Sequence, residues 1–201
     1  MTINPATGTD QKKQLRLRLR QLRRSLTPAQ QQRAAASLAQ HLSQHLWFRQ
    51  AKHIAFYLPN DGEIDPTPLL ELALAQGKHC YLPVVMSGGK LQFRALEVGT
   101  RLTINKYNII EPDLGARVRP VWLLNLILLP LVGFDLHGNR LGMGGGYYDR
   151  TLAAVKGRPT PSRRRVGLAH QCQRLASLDG DCWDIPLAAI ATDKAFRLIG
   201  N

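Results

Sequence analysis

Leucines at 15, 19, 22 and 26 recur at three- and four-residue spacing, with arginines filling most positions between them. That pattern predicts a helix over 11–26 with the leucines on one face. Thr27-Pro28 followed by Gln30 is an N-terminal cap signature. It opens a second expected helix over 28–46, whose apolar stripe is Ala35, Leu38, Leu42 and Leu46. The run His53 to Leu58 reads as a strand, stopped by Pro59 and the turn Asn60-Asp61-Gly62. Residues 66–76 predict a helix ended by Gly77, and 78–85 a further strand. Strand, helix and strand joined by short connections predict parallel pairing in an α/β fold.

Gly88-Gly89 predicts a turn before a short strand over 91–96, and 99–120, with prolines at 112 and 120, reads as irregular. Residues 126–131 are continuously apolar between polar flanks, as in a strand buried on both faces. A turn over 135–138, a glycine-rich segment over 140–146, a helix over 147–155 and a loop over 157–162 follow. Two late strands are expected, at 165–169 and 188–192. No internal repeat or linker breaks the chain. The expectation is therefore one three-layer α/β domain over 1–201, with a mostly parallel central sheet and an N-terminal helical segment. Residues 1–10 are expected to be flexible, and the glycine-rich segment to lie at one edge of the sheet.

An apolar content of 44% suits a full core. The formal net charge of +13 favours anionic partners without choosing among nucleic acid, nucleotide and polyanionic small molecule. Much of it comes from Lys12, Lys13, Arg16, Arg18, Arg20, Arg23 and Arg24, with Arg158, Arg163, Arg164 and Arg165 as a second cluster. Aromatic residues make up only 6% of the chain and do not interleave with the basic ones, which argues against a nucleic-acid-binding module. Cys80, Cys172 and Cys182 have no metal-type spacing and are expected to be reduced and mostly buried. The start of the chain lacks an apolar signal region, and the longest apolar stretch, Val121 to Phe134, is too short to cross a bilayer. A cytoplasmic protein with no membrane partner is expected, as a monomer or weak homodimer.

Candidate chemistry concentrates between Arg140 and Arg150. Gly142, Gly144, Gly145 and Gly146 follow the apolar strand and precede a helix-capable run. Glycines let backbone N–H groups approach an anion closely, and such a loop entering a helix is a physically sound phosphate site. Glycine content alone fits a tight structural turn equally well. The dinucleotide fingerprint fails because Tyr147 takes its third glycine, and no Gly-Lys-Ser/Thr occurs for a P-loop. Neighbouring residues shift the balance. Arg140 and Arg150 flank the loop, Asp149 is a hard oxygen ligand suited to phosphate-bound Mg²⁺, and Tyr147 and Tyr148 offer flat surfaces for an aromatic ring.

Gly133-Phe134-Asp135, Gly138 to Gly142 and Gly144 to Arg150 together resemble the signature of the 5-formyltetrahydrofolate cyclo-ligase family. Lys12 with Leu15-Arg16, Leu58 to Glu63, Asn105 to Pro112 and Gly167 to Gln173 are similar to further family elements in the same order. The resemblance implies conversion of 5-formyltetrahydrofolate and MgATP to 5,10-methenyltetrahydrofolate, ADP and phosphate. By the same resemblance Lys12, Arg16, Arg140, Gly142, Gly144, Gly145, Gly146, Tyr147 and Tyr148 would bind ATP, and Asp149 would bind Mg²⁺. Leu58, Glu63 and Tyr147 would contact the folate, polyglutamylated forms included, and Arg140 and Tyr148 would serve catalysis. Without the resemblance, Lys12 and Arg16 read more simply as a solvated basic face, and Glu63 as an exposed loop carboxylate.

Two positions depart from the family pattern. Many members carry a basic residue within the glycine loop, where Met143 and Gly145 stand here. Some place a second Mg²⁺-binding aspartate after Ile-Pro-Leu, where Ile185-Pro186-Leu187 is followed by Ala188; Asp184 and Asp193 are the nearby alternatives, and water would serve equally well.

Overall fold

A computed structural model describes residues 8–155, 164–180 and 184–200. Helix α1 (Gly8–Arg24) leads into α2 (Pro28–Ser43) and the short α3 (Leu46–Gln50). Strand β1 (His53–Ala55), helix α4 (Thr67–Ala75), and strands β2 (His79–Val85) and β3 (Leu91–Leu96) follow. Then come β4 (Leu102–Ile104), β5 (Ile110–Pro112), β6 (Val118–Arg119), β7 (Leu126–Pro130), β8 (Gly133–Phe134) and β9 (Arg140–Leu141). Helix α5 (Tyr147–Leu152) and strands β10 (Arg165–Leu168), β11 (Ala189–Ala191) and β12 (Phe196–Leu198) complete the chain.

Among the described residues the central sheet has eight strands in the order β12-β11-β10-β7-β1-β2-β3-β6. Its middle, from β11 to β2, is parallel. The outer pairings, β11 with β12, β2 with β3 and β3 with β6, are antiparallel. The apolar run of β7 explains its central place. Leu126 and Leu128 join one core with Ala34, Leu38 and Leu42 of α2 and Leu69, Leu70 and Ala73 of α4. Ile127 and Leu129 alternate to the opposite core, with Leu152 of α5, Phe93 and Ile190. Helices on both faces make the three-layer α/β arrangement that the sequence predicts.

The Thr27 cap forms as its sequence requires. The Gln30 N–H donates to Thr27 Oγ1 at 3.3 Å, and the Thr27 N–H donates to Gln30 Oε1 at 2.8 Å. The second helix ends at Ser43 rather than 46, because His45 caps a separate turn over Leu46–Gln50.

The expected face of α1 is corrected. Leu15 and Leu19 pack against Val132 and Leu141, but Leu22 is 41% exposed. The buried stripe runs on at four-residue steps to Arg23, which is fully buried. The helix also begins at Gly8, inside the N-terminal stretch expected to be flexible; residues 1–7 lie outside the described residues.

The segment 99–120 is not irregular throughout: β4 and β5 form an antiparallel hairpin, with Leu102 opposite Pro112 and Ile104 opposite Ile110. Glu111 is buried there, accepting from Asn105 Nδ2 at 2.7 Å and from the Val85 N–H at 3.3 Å, which pins the hairpin to the end of β2. The edge strand β12 was not signalled by the sequence pattern, and the glycine-rich segment hangs from central β7 through β8 and β9 rather than from a sheet edge. Cys80 is a buried free thiol, whereas Cys172 is exposed, contrary to expectation. Cys182, Arg158, Arg163 and the 157–162 loop lie outside the described residues.

Candidate active site

One cavity of about 1220 Å³ opens beyond the C-terminal end of β7. Its walls come from α1, the loop between β1 and α4, the β4–β5 hairpin, the glycine loop, Ser177, Leu178, Asp179 and Asp184. Each sequence-predicted site residue, Lys12, Arg16, Leu58, Glu63, Arg140, Gly142, Gly144, Gly145, Gly146, Tyr147, Tyr148 and Asp149, lines it. The volume exceeds the range usual for one small-molecule pocket, so there is room for two ligands side by side.

The glycine loop is shaped by backbone requirements and by arginines beneath it. Gly144 and Gly146 sit at φ +98° and +63°, a region that side chains disfavour. Arg16 Nε donates to the Gly142 carbonyl at 2.8 Å, which brings the basic side of α1 onto the loop, and Lys12 lies one turn earlier. Arg150 is not a free cation, because it donates to the Gly89 and Gly145 carbonyls and stacks on Tyr147 at 5.5 Å. Arg140 lines the cavity with its side chain only 7% exposed; its guanidinium donates to the Ile185 carbonyl and to Asp149 Oδ1. It is thus a fixed positive charge under the loop rather than a mobile one.

Asp149 also accepts from the Ile185 N–H at 3.1 Å. Of the two candidate substitutes for the aspartate missing at Ala188, only Asp184 lines the cavity. Asp193 borders a separate small hollow and accepts from the Gln171 N–H at 2.7 Å, so it does not serve the site. Among the described residues no group of three or more His, Cys, Asp and Glu side chains is arranged to hold a metal. A donor set of one or two carboxylates suits Mg²⁺ that arrives with phosphates and keeps several waters, and not an all-protein metal cage.

The other side of the cavity is governed by the loop Leu58 to Glu63. Asp61 takes a left-handed conformation at φ +56°, and Gly62 follows at +74°. Arg20 Nε and Arg23 Nη2 meet Asp61 Oδ2 at 2.7 and 2.8 Å, and Arg24 pairs with Oδ1. Burial alone would raise the Asp61 carboxyl, but hydrogen bonds from Arg20, Arg24 and Arg23 bring it down to about 2. Glu63 is not an exposed loop carboxylate: its side chain is 11% exposed. Burial pushes it up to about 7, against the pull of Arg23 3.7 Å away and of the Asn60 N–H, 3.1 Å from Oε2. Burial likewise pushes the phenols of Tyr57 and Tyr148 well up, with Glu63 adding to both, so each stays a neutral O–H at ordinary pH.

Two cavity residues and an arginine behind them escaped sequence reasoning. Tyr107, at the tip of the β4–β5 hairpin, meets the Tyr147 hydroxyl with its own, the rings edge to face at 6.0 Å. Its signal was an aromatic within a polar stretch flanked by Asn105 and Asn108. Asp61 looked like an ordinary turn residue, and nothing in the leucine pattern marked Arg23 as buried.

The model of the 5-formyltetrahydrofolate cyclo-ligase family matches residues 8–193. The chain is 42% identical over 177 residues to the 5-formyltetrahydrofolate cyclo-ligase of Escherichia coli, covering 87% of this chain and 96% of that one. To the enzyme of that name from Haemophilus influenzae it is 41% identical over 183 residues, covering 90% and 96%. Among solved structures, 5,10-methenyltetrahydrofolate synthetase from Aquifex aeolicus superposes with a TM-score of 0.82 at 32% identity, covering 94% of this chain and 93% of the other. With the glycine loop, the carboxylate loop and the basic helix all brought to one cavity, the chain belongs to the 5-formyltetrahydrofolate cyclo-ligase family.

Proposed function

We propose that the protein converts 5-formyltetrahydrofolate to 5,10-methenyltetrahydrofolate with consumption of ATP. One observation carries the reading: one cavity, roomy enough for two ligands, is lined both by a glycine loop contacted by Arg16 and by a buried carboxylate whose charge is felt by two neutral phenols. A formamide is a poor electrophile, because its nitrogen donates into the carbonyl. Transfer of the γ-phosphoryl group to the formyl oxygen, with ADP leaving, makes that carbon attackable. N10 then adds to it and gives up its proton to the departing phosphate or to water, and phosphate leaves with the former formyl oxygen, closing the methenyl bridge.

The protein's share is positioning and charge neutralisation. Lys12 and Arg16 from α1 face the phosphates, with the N–H groups of the glycine loop beneath them. Arg140, held by Ile185 and Asp149, supplies a fixed positive field where charge develops. Mg²⁺ entering with ATP and resting on Asp149, with Asp184 nearby, would neutralise phosphate charge. Glu63 accepts from the pterin's donor groups, Leu58 packs on its ring, and Tyr147 borders both substrates. Tyr148, kept a neutral O–H by burial and by the charge of Glu63, would donate a hydrogen bond at the reacting oxygen.

The test mixes purified protein with 5-formyltetrahydrofolate and MgATP and follows methenyl absorbance alongside ADP. Stoichiometric, Mg²⁺-dependent growth of both is expected. ADP without the methenyl signal would overturn the folate assignment, and neither signal from folded protein would overturn the nucleotide assignment as well.

A further inference from the structure

A fully buried arginine needs a reason, since taking a guanidinium out of water is costly unless every donor is used. Each of the three guanidinium nitrogens of Arg23 has a partner. Nε donates to the Asp61 carbonyl at 2.8 Å, Nη1 to the Leu131 carbonyl at 3.1 Å, and Nη2 to Asp61 Oδ2 at 2.8 Å, with Glu63 Oε1 3.7 Å away. It therefore ties α1, the end of β7 and the Leu58–Glu63 loop at one point behind the cavity. Asp61 already has Arg20 and Arg24 for its charge, whereas Arg23 is the cation recorded against Glu63.

We propose that Arg23 is a positioning residue for the folate end of the cavity: anchored on Asp61 and Leu131, its guanidinium 3.7 Å from Glu63 Oε1 holds that carboxylate as an anionic acceptor for the pterin's donor groups. This rests on the reading of Glu63 as a folate contact. The charged and titratable groups facing Glu63 are Arg23 on α1, Asp61 on its own loop, Tyr57 after β1 and Tyr148 on α5. His170, from the turn after β10, faces Arg23 instead. Of these, Arg23 favours the Glu63 anion and Asp61 opposes it. The two neutral phenols add no positive charge, and beyond the Asn60 N–H that donates to Oε2, Arg23 is the group that favours the anion near neutrality. A lysine would keep the charge but cannot serve three acceptors with one planar fork.

The opposed signs of Arg23 and Asp61 give a test that a merely structural role does not pass. Glu63 is titrated in the ligand-free protein by carbon-13 NMR of labelled glutamate side chains, its resonance assigned by loss in Glu63→Gln. Affinity for 5-formyltetrahydrofolate, without nucleotide, is measured by calorimetry over the same pH range. The Glu63 midpoint is expected near 7. It should rise by about a unit in Arg23→Met, stay close to the wild type in Arg23→Lys, and fall in Asp61→Asn. Affinity should weaken on the acid side of each midpoint, so Arg23→Met loses about fivefold at pH 7, and Glu63→Gln should abolish the pH dependence.

A midpoint unmoved in folded Arg23→Met overturns the proposal. If that variant does not fold, an unmoved midpoint in Arg23→Gln, which keeps N–H donors and removes the charge, overturns it equally. If the midpoints shift as expected but affinity ignores both them and Glu63→Gln, the folate reading of Glu63 is what fails, and the proposal falls for that separate reason.

Discussion

Asp61 and Glu63 stand two residues apart and make opposite demands on pH. Asp61 is held at about 2 against an ordinary 3.8, so the folded state binds fewer protons than the unfolded one in that interval. Its stabilisation is fully present above about pH 4 and is lost as pH falls toward 2. Glu63, raised from 4.5 to about 7, does the reverse: between those values the folded state binds the extra proton, so stability falls as pH rises. Unfolding by denaturant should show Glu63→Gln more stable than wild type at pH 8, by up to ~3 kcal/mol. The difference should vanish near pH 4; a variant destabilised at both values would contradict the assignment. The cost of keeping that carboxylate ionised is what a binding residue imposes on a fold. Accordingly Glu63→Ala should impair folate use at least tenfold more than ATP binding. Equal loss of both, measured as folate KM and as nucleotide affinity, would place Glu63 outside the folate site.

Helix α1 links the two halves of the cavity, since Lys12 and Arg16 face the glycine loop while Arg20, Arg23 and Arg24 grip Asp61. What keeps it in place is Leu19, 2% exposed against Val132 and Leu141, with its Cδ1 occupying the space that a Cβ on Gly133 would need. Leu19→Ala should cost about 2–5 kcal/mol and raise the KM for ATP, because the cations it positions lose their register. A loss of stability with an unchanged KM would show that the phosphate site does not depend on α1. This helix also shows how far the sequence could be read. The leucine period predicted the helix, and the glycine segment with its flanking arginines and tyrosines was marked as a candidate site and does line the cavity. Which face of α1 is buried was not legible: Arg23 is inside only because Asp61, 38 positions later, waits for it. Nor did composition show the β4–β5 hairpin, whose strands are short and whose anchor is a buried glutamate, Glu111. Patterns within an element survive in sequence; long-range polar partnerships do not.

At the scale of the molecule, a formal net charge of +13 far exceeds what the cavity's own cations contribute. Exposed Lys13 adjoins the cavity residue Lys12, and exposed Lys106 lies 5.2 Å from the ring of Tyr107 at the hairpin tip. No helix among the described residues is long and apolar enough to cross a membrane, so lipid contact by a spanning helix does not account for the charge. A field of this sign concentrates anionic ligands at the cavity mouth, and salt screens it over about 8 Å at physiological ionic strength. Contacts made inside the cavity are screened much less. A polyglutamylated folate carries several carboxylates that extend beyond the contacts made by its pterin. Lowering ionic strength should therefore tighten its binding more than that of the monoglutamate. The check is the slope of log affinity against log salt for the two ligands, repeated with Lys13→Glu and Lys106→Glu. Both reversals should flatten the polyglutamate slope and leave the monoglutamate slope nearly unchanged. Equal slopes for the two ligands would mean that the field acts only at contact, and that the surplus charge serves some other anion than the folate tail.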